Sequence, residues 1–458
     1  MGIRRLSGVH APHRKNTAAM PPVRIPVPAM VAIPMSMHIG APAKPVVKAG
    51  DAVKVGQLLA EAGGFVSSPI YSGVSGTVKK VDGMLVSSGA FVQTIFIETD
   101  GQQEVAETVK APEVTDMQSF LAAVRDSGVV GLGGAGFPTA VKLTVKDLNQ
   151  IEAVIINGAE CEPYITSDTR NMLDNADLMI DGVKMLQEYL KVKRIVFGIE
   201  NNKPECIKKF QELTKDMEGV EVMALPPLYP QGGEKVLIYN VTGRMVPEGK
   251  LPLDVGAVVI NCTTLACIAR YINTGMPLVE KVVTVDGSAV KEPQNVIAPI
   301  GTPMKDVFEF CGGFKAEPKK VLYGGPMMGI AVPDLEQPIL KSTNAILAFD
   351  AKDAEIPKEQ PCIKCGRCIA SCPLKLMPAD IDTAYQLGDG EMLEKLRVNI
   401  CMECGCCSFI CPARRPLVQT NKLAKQTLRA YQDKKKAEAE KAKAKAEVKK
   451  AAEEAKTE

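Results

Sequence analysis

The 458-residue sequence has no tryptophan and only three histidines, and its lysines and arginines exceed its acids by just two. So small a net charge gives no ground for a nucleic-acid partner. No run of eighteen apolar residues occurs, so no transmembrane helix is expected. The best candidate, "PPVRIPVPAMVAIPMSMHIG", is interrupted by prolines and carries Arg24. The opening "MGIRRLSGVH" is basic but lacks an apolar h-region, which argues against a secretory signal. Leu6 stands where a myristoylation signal needs Ser or Thr. His10, His13 and His38 fall in irregular segments and read as surface or packing residues. Apolar residues at 46% and charged residues at 24% fit a soluble globular chain of three or four domains.

Cysteine is abundant and unevenly placed. Cys161, Cys206, Cys262, Cys267 and Cys311 are single and read as small buried hydrophobes, although Cys161 falls within the loop-like stretch "NGAECEPYITSDTR". The other nine fall between 362 and 411. A large chain without a secretory signal does not suit a disulfide framework, so clustering points to metal. "CIKCGRCIASCP" and "CMECGCCSFICP" share the spacing C-x2-C-x2-C-x3-C-P. In such paired runs the fourth cysteine ligates the other cluster. The expected sets are Cys362, Cys365, Cys368 and Cys411 for one [4Fe–4S] cluster, and Cys401, Cys404, Cys407 and Cys372 for a second. Cys406 is left over and should pack nearby. Zinc usually uses paired Cys-x2-Cys knuckles or Cys/His mixtures. Two four-cysteine runs ending in Cys-Pro, with no histidine in the region, point away from it. The 28 residues between the runs are too long for a compact hairpin, and "PADIDTAYQLGDGEMLEKLRVNI" reads as helical. The module therefore resembles α-helical ferredoxins. Two neighbouring clusters imply a one-electron relay.

Upstream, the hydrophobic period changes along the chain. Residues 1–30 read as an irregular proline-rich arm. Over 31–110, short alternating runs and Gly-Asp and Ser-Gly turns predict strands. "VKAGDAVKVGQLLA" and "SPIYSGVSGTVKKV" resemble the barrel-sandwich fold of lipoyl and biotinyl carriers. "EAGGFVSSPIYSG" offers no lysine for modification, so this domain reads as structural. From 115 to 275, "EAVIINGAE", "RIVFGIE", "VEVMAL" and "GAVVINCTT" alternate with amphipathic segments. That alternation predicts a Rossmann-like parallel sheet with helices on its faces. Ligands in such sheets bind beyond the carboxyl ends of the strands. Residues 276–345, with "KVVTVDGSAV", "VIAPIGTPMKDVFEFCGG" and "KKVLYGGPMMG", read as β-like turns and strands of a β-grasp, SLBB-like domain. Residues 355–420 hold the clusters. Residues 421–458 are rich in Ala, Lys and Glu and read as a solvated helix or disorder. The expected fold is thus multidomain α/β.

"GLGGAGFPTAVKL", residues 131–143, places four glycines in six positions. Glycine loses the most conformational freedom on folding, so the run either wraps a ligand or makes a tight connection. The clusters need an electron donor. A flavin links hydride chemistry to one-electron transfer, and Lys142 would put positive charge beside its ring or phosphate. The stretch resembles the glycine loop of the FMN- and NADH-binding subunit of respiratory complex I. "NGAECEPYITSDTR", "YPQGGEKVLI" and "VVINCTTLACIA" follow in that family's order. The resemblance implies that Gly131, Gly133, Gly134, Gly136, Phe137 and Lys142 line a non-covalent FMN cleft. It places Asn157, Glu160 and Glu162 toward flavin or nicotinamide ribose. Tyr229, Gly232, Gly233 and Glu234 would make a second wall, and Asn261 and Thr264 would hold the ribityl or phosphate end. Leu132 replaces that loop's arginine, Ala159 an acid, and Gly233 the first of two glutamates. These departures bear on the nicotinamide contacts.

The whole arrangement, with "GVHAPHRK" at the start and "YGGPMMG" later, resembles the RnfC family over residues 1–420. That resemblance implies an NAD-dependent oxidoreductase subunit using FMN and two [4Fe–4S] clusters. It further implies a ferredoxin:NAD complex that moves Na+ or H+. The implied partners are other Rnf subunits, integral-membrane ones and an iron–sulfur subunit that accepts from ferredoxin among them, and the implied place is peripheral, on the cytoplasmic face of the membrane. A soluble flavin/iron–sulfur reductase, such as a cobalamin reductase, shares a similar domain set. A cluster-bearing relay without nucleotide chemistry is a third reading.

Overall fold

The computed structural model describes residues 6–454, with the side chains of 446 and 448–454 outside that description. The ends of the expected arm and tail, 1–5 and 455–458, lie outside the described residues. The chain divides into two compact units, one spanning residues 10–356 and the other combining 6–9 with the segment from 357 onward.

In the first unit, eight strands precede the first helix. Val23–Arg24 is a departure from the irregular arm: it adds in parallel to Gln294–Pro299, at the edge of a later sheet. The barrel sandwich is made of a sheet including Met30–Pro34, Gly76–Leu85 and Phe91–Thr99, and a smaller one including Leu58–Glu61. Alternating burial along Gly76–Val78 follows from the two-residue period of a strand.

Four parallel strands follow: Ala153–Gly158, Ile195–Glu200, Val220–Leu225 and Ala257–Asn261. Each corresponds to one of the short apolar runs. The chain winds from the first strand outward through the second to the third, then returns to place the fourth beside the first. The direction of winding therefore reverses between Ala153–Gly158 and Ala257–Asn261. Val31, Ile33, Ile95, Phe120, Val154 and Leu265 belong to one continuous core, so the barrel and the parallel sheet are packed as one body.

A mixed six-stranded sheet includes Glu280–Asp286, Gln294–Pro299 and Ala345–Phe349. Within the segment expected to be β-like, Met304–Phe310 is instead a helix. Met304, Val307 and Phe308 recur at helical spacing and are fully buried, so packing decides the local conformation.

The second unit has no strand among its described residues from 357 onward. Its helices include Arg367–Ser371, Pro378–Gln386, Gly390–Lys395, Cys406–Phe409 and Leu417–Glu454. The tail is thus helical through its described length, and its charged residues from 433 to 445 are solvent-facing. Among the described residues no helix is long and apolar enough to cross a membrane.

Candidate functional site

The reversal in strand order puts Asn157 and Asn261 side by side, in register, at the carboxyl ends of adjacent strands. A crevice at such a point is the usual ligand site of an open parallel sheet. Asn261 also caps the helix Cys262–Thr274: its Oδ1 accepts from the Thr264 N–H at 3.1 Å. Its Nδ2 donates to Asp168 at 2.7 Å. Thr264 Oγ1 in turn accepts from the Leu132 N–H at 3.0 Å. The glycine loop is closed by the Gly131 N–H donating to Phe137 O at 2.8 Å. Leu132 is buried, whereas Gly133, Gly134 and Ala135 are exposed at the tip. A β-carbon on Gly133 would stand 2.5 Å from Asn261 Nδ2, so only glycine permits this approach. One on Gly134 would meet nothing within 4 Å, so the space beyond the tip is open. Leu132 in place of arginine thus supplies an apolar anchor for the loop.

The other walls are laced by backbone contacts. Asn157 Nδ2 donates to Gly232 O at 2.9 Å, and its Oδ1 accepts from the Ala159 N–H at 3.1 Å. The Gly232 N–H donates to Cys161 Sγ at 3.4 Å, and a β-carbon on Gly232 would lie 2.4 Å from Ala159 O. Burial pushes the Cys161 thiol up to about 12, which keeps it a neutral contact. Gly233 caps the helix Glu234–Thr242 without a side-chain bond. Lys142 Nζ donates to Glu234 Oε1 at 2.7 Å and to Val259 O at 3.1 Å. Both side chains of this pair remain partly exposed. Glu234 therefore pairs with Lys142 and leaves the helix cap to backbone.

Three predicted residues turn away from the open side. The Glu160 carboxylate accepts from the Asp168 N–H at 2.7 Å and from Thr169 N–H and Oγ1, at the start of the helix Ser167–Asp174. Burial pushes its pKa up, against the opposing pull of Lys15 and Lys203. Glu162 accepts from the amides of Met327 and Met328 at 3.1 and 2.8 Å and from Tyr229 OH at 3.3 Å. Burial raises its pKa while those donors hold it down. Both carboxylates are thus engaged by the protein itself, and Tyr229 is spent on Glu162.

Lys15 is not among the residues that sequence reasoning brings here. Its ammonium donates to the carbonyls of Glu160, Glu162 and Ile165 at 2.7, 2.8 and 2.5 Å. The 160–165 loop is wound around a cation from the arm. The only hint in the sequence is that Lys15 ends the run "GVHAPHRK". His38 is a packing residue, as expected, and its Nε2 accepts from the Ser68 N–H at 2.6 Å. The next residue, Ile39, donates its N–H to Gly136 O at 3.1 Å, so the barrel braces the glycine loop. Cys206, Cys262 and Cys311 are buried, while Cys161 and Cys267 are intermediate.

The two cysteine runs repeat one backbone design. Lys364 and Glu403, each two residues after the first cysteine, have φ of 54° and 57°. Their N–H groups donate to Cys362 and Cys401 Sγ at 3.4 Å. Gly366 and Gly405 are also left-handed and start the short helices. Cys372, from the first run, lines one cavity with Cys401, Cys404 and Cys407 from the second. Cys411, from the second run, packs with Cys368 of the first against Leu417 and Val418. Cys362 and Cys365 are exposed, and Cys406 is buried beside Cys404. Among the described residues no three His, Cys, Asp or Glu side chains converge as on a single metal ion. A [4Fe–4S] cube makes a different demand, one thiolate for each of four irons. Four thiols around a cavity, with N–H donors on the sulfurs of Cys372 and Cys401, fit that demand.

Comparison with known proteins follows these divisions. Residues 4–102 match the RnfC barrel sandwich hybrid domain, 124–270 the Nuo51 FMN-binding domain, 282–331 the SLBB domain and 355–412 the 4Fe-4S dicluster domain. The C component of the Na(+)-translocating ferredoxin:NAD(+) oxidoreductase complex of Acetobacterium woodii is 41% identical over 434 residues, covering 93% of this chain and 97% of that protein. The chain belongs to the RnfC family. The C component of the proton-translocating ferredoxin:NAD(+) oxidoreductase complex of Clostridium ljungdahlii is 44% identical over 378 residues, or 81% of this chain and 82% of that one. The C component of an ion-translocating oxidoreductase complex of Rhodobacter capsulatus is 38% identical over 93% of this chain and 84% of its own. A chain of an NAD+-reducing [NiFe]-hydrogenase shares the fold, with a TM-score of 0.50 at 18% identity, covering 69% of this chain and 63%, less than two thirds, of that one. This member of the RnfC family thus joins an FMN-binding domain to a dicluster domain in one polypeptide.

Proposed function

We propose that this RnfC-family chain is the peripheral redox subunit of an ion-translocating ferredoxin:NAD(+) oxidoreductase. It exchanges electrons between NAD(H) and a ferredoxin-linked chain, docked on the cytoplasmic face of the membrane beside other subunits of the complex. The observation that carries this reading is the pairing of Asn157 with Asn261 at the sheet's reversal, under a glycine loop whose tip opens onto free space. FMN supplies the exchange between hydride and one-electron chemistry, and the clusters supply one-electron sites. The chain's part is to bind and orient. Exposed amides of the 133–135 tip are placed to meet a phosphate or ring edge. Asn261 and Thr264 hold that loop against the first turn of the following helix. Lys142 and Glu234 form the charged rim, where Glu234 is our choice for the nicotinamide ribose: a carboxylate accepts from two hydroxyls and repels a 2′-phosphate. Glu160, Glu162 and Tyr229 maintain the wall from behind. Cys362, Cys365, Cys368 and Cys411 would hold one cluster, and Cys401, Cys404, Cys407 and Cys372 the other. Anaerobic purification should yield one extractable FMN and about eight irons per chain by this ligand arithmetic. A preparation with full iron but no capacity for FMN would reduce the chain to a cluster relay.

A further inference from the structure

Four lysines of the first unit carry ammonium groups that are enclosed by protein. Three are fully engaged. Lys15 holds three carbonyls, Lys203 pairs with Glu200 at 2.5 Å, and Lys341 donates to Ser68 Oγ and to the carbonyls of Pro69 and Gly128. Lys281 is different. It is 4% exposed, on the strand Glu280–Asp286, and its ammonium makes no hydrogen bond or ion pair among the described residues. The group instead faces a cavity of about 510 Å³.

That cavity is separate from the cleft under the glycine loop. Thr263, Cys267 and Arg270 line it and recur at helical spacing on one stripe of the helix Cys262–Thr274. Thr264, one residue off that stripe, faces the glycine loop. Arg24, Asn171 and Asn175 complete the polar wall. The charges do not balance. Arg24, Arg270 and Lys281 line the cavity with Glu280 and Asp174 as the acids. Glu280 is shared by Arg24 and Arg270, and Asp174 is taken by Arg170, which does not line the space. Asp168, near Lys281, has its two oxygens occupied by Asn261 and Thr263. The lining itself carries two positive charges in excess, one of them offset by the neighbouring Asp168, whose two donors are neutral, and the volume is within the range of small-ligand sites.

We propose that this cavity binds a phosphate group, with Lys281 as the buried charge partner and Arg270 at its half-exposed rim. Three cationic side chains around one cavity, Arg24, Arg270 and Lys281, offer the several charged N–H donors that the oxygens of a phosphate accept. The phosphate could belong to the free ion or to a nucleotide, and the chemistry of the pocket is common to both.

The test uses FMN-loaded, cluster-intact protein at fixed ionic strength in chloride. Inorganic phosphate and AMP are titrated separately by calorimetry, with melting temperature followed in parallel. Wild type should bind and be stabilised. Tighter binding of AMP would identify a nucleotide source, and equal or weaker binding the free ion. Lys281→Met removes a buried charge at nearly constant shape, so it should melt at a higher temperature than wild type without ligand. It should also lose the response to phosphate and keep NADH-dependent dye reduction. Arg270→Gln, on a partly exposed side chain, should fold normally and bind about tenfold more weakly, the loss expected for one charge-assisted contact. Absence of binding by both probes in wild type would overturn the proposal. So would an undiminished response in Lys281→Met or Arg270→Gln, or displacement of phosphate by NADH, which would locate it in the nucleotide cleft.

Discussion

The cleft and the cluster unit prepare ligand sites in opposite ways. At the cleft, backbone and small residues leave room: Gly133 lets Asn261 approach, and Gly134 faces open space. Its supports, from Val154 to Leu265, belong to a core that also runs through the barrel. In the cluster unit half of the proposed ligands, Cys368, Cys372, Cys404 and Cys407, are themselves buried, while Cys362 and Cys365 are exposed. Cys372 packs with Leu376, Ile381, Leu393 and Val398, and Cys368 and Cys407 pack with Leu417 and Val418. Helices of four to nine residues, such as Cys406–Phe409 and Pro378–Gln386, cannot stand alone. On the proposed assignment a flavin would be a guest in a folded cleft, whereas cluster assembly would be part of folding its unit.

The largest effect should separate the two units outright. Oxidative removal of iron with a chelator should expose residues from 357 onward to proteolysis and leave the 10–356 unit folded and flavin-bearing. Loss of both units together would break the contrast. A more local change should test the crossed ligands. Cys372→Ser should disturb the cluster of Cys401, Cys404 and Cys407, and Cys411→Ser that of Cys362, Cys365 and Cys368, each resolved by paramagnetic resonance of the reduced protein. Damage confined in each case to the mutated run's own cluster would contradict the crossing.

Acid should act on the cleft side. Burial, helped by the Lys341 charge, lowers the His38 pKa to about 4. The unfolded imidazole titrates near 6.5. Between these values the unfolded chain binds more protons, so stability falls as pH drops from about 6.5 to about 4 and levels off below. His38→Gln should flatten that slope in melting curves of the 10–356 unit, since its amide takes up no proton. The smallest effect is expected at the rim. Glu234→Gln should raise the Michaelis constant for NADH several-fold and narrow the preference over NADPH. Its partly exposed pair with Lys142 is worth only about 0.2–1 kcal/mol, so the melting temperature should scarcely move. Unaltered kinetics would remove Glu234 from the nucleotide contacts.

Some of this is legible from residue order alone, because the relevant physics is local. Cysteine spacing, the four apolar strand runs and the glycine loop each declare themselves within a dozen residues. The partners of buried charges do not. Glu160 and Glu162 look alike in "NGAECEP", yet one is taken by the amides of a helix start and the other by Met327 and Met328, 165 and 166 positions away. Lys15 reaches across 145 to 150 positions to its carbonyls. The helix Met304–Phe310 escapes a sequence reading because seven residues, four apolar and three charged, are too few to separate the two periods until the packing partners are known. Val23–Arg24 escapes it because two residues joining a sheet edge leave no periodicity to read.

The central claim is that NADH reaches the clusters only by way of a flavin held at the glycine loop. Anaerobic titration of wild type and Gly134→Val with NADH, followed optically and by paramagnetic resonance, tests it directly. The valine fills space that is open in the protein alone, so it should expel FMN while iron content stays near wild type. In wild type, NADH should bleach the flavin and bring up both cluster signals. In Gly134→Val the clusters should stay oxidised with NADH and still reduce with dithionite. Stoichiometric flavin in the variant, or cluster reduction by NADH without flavin, would contradict the account.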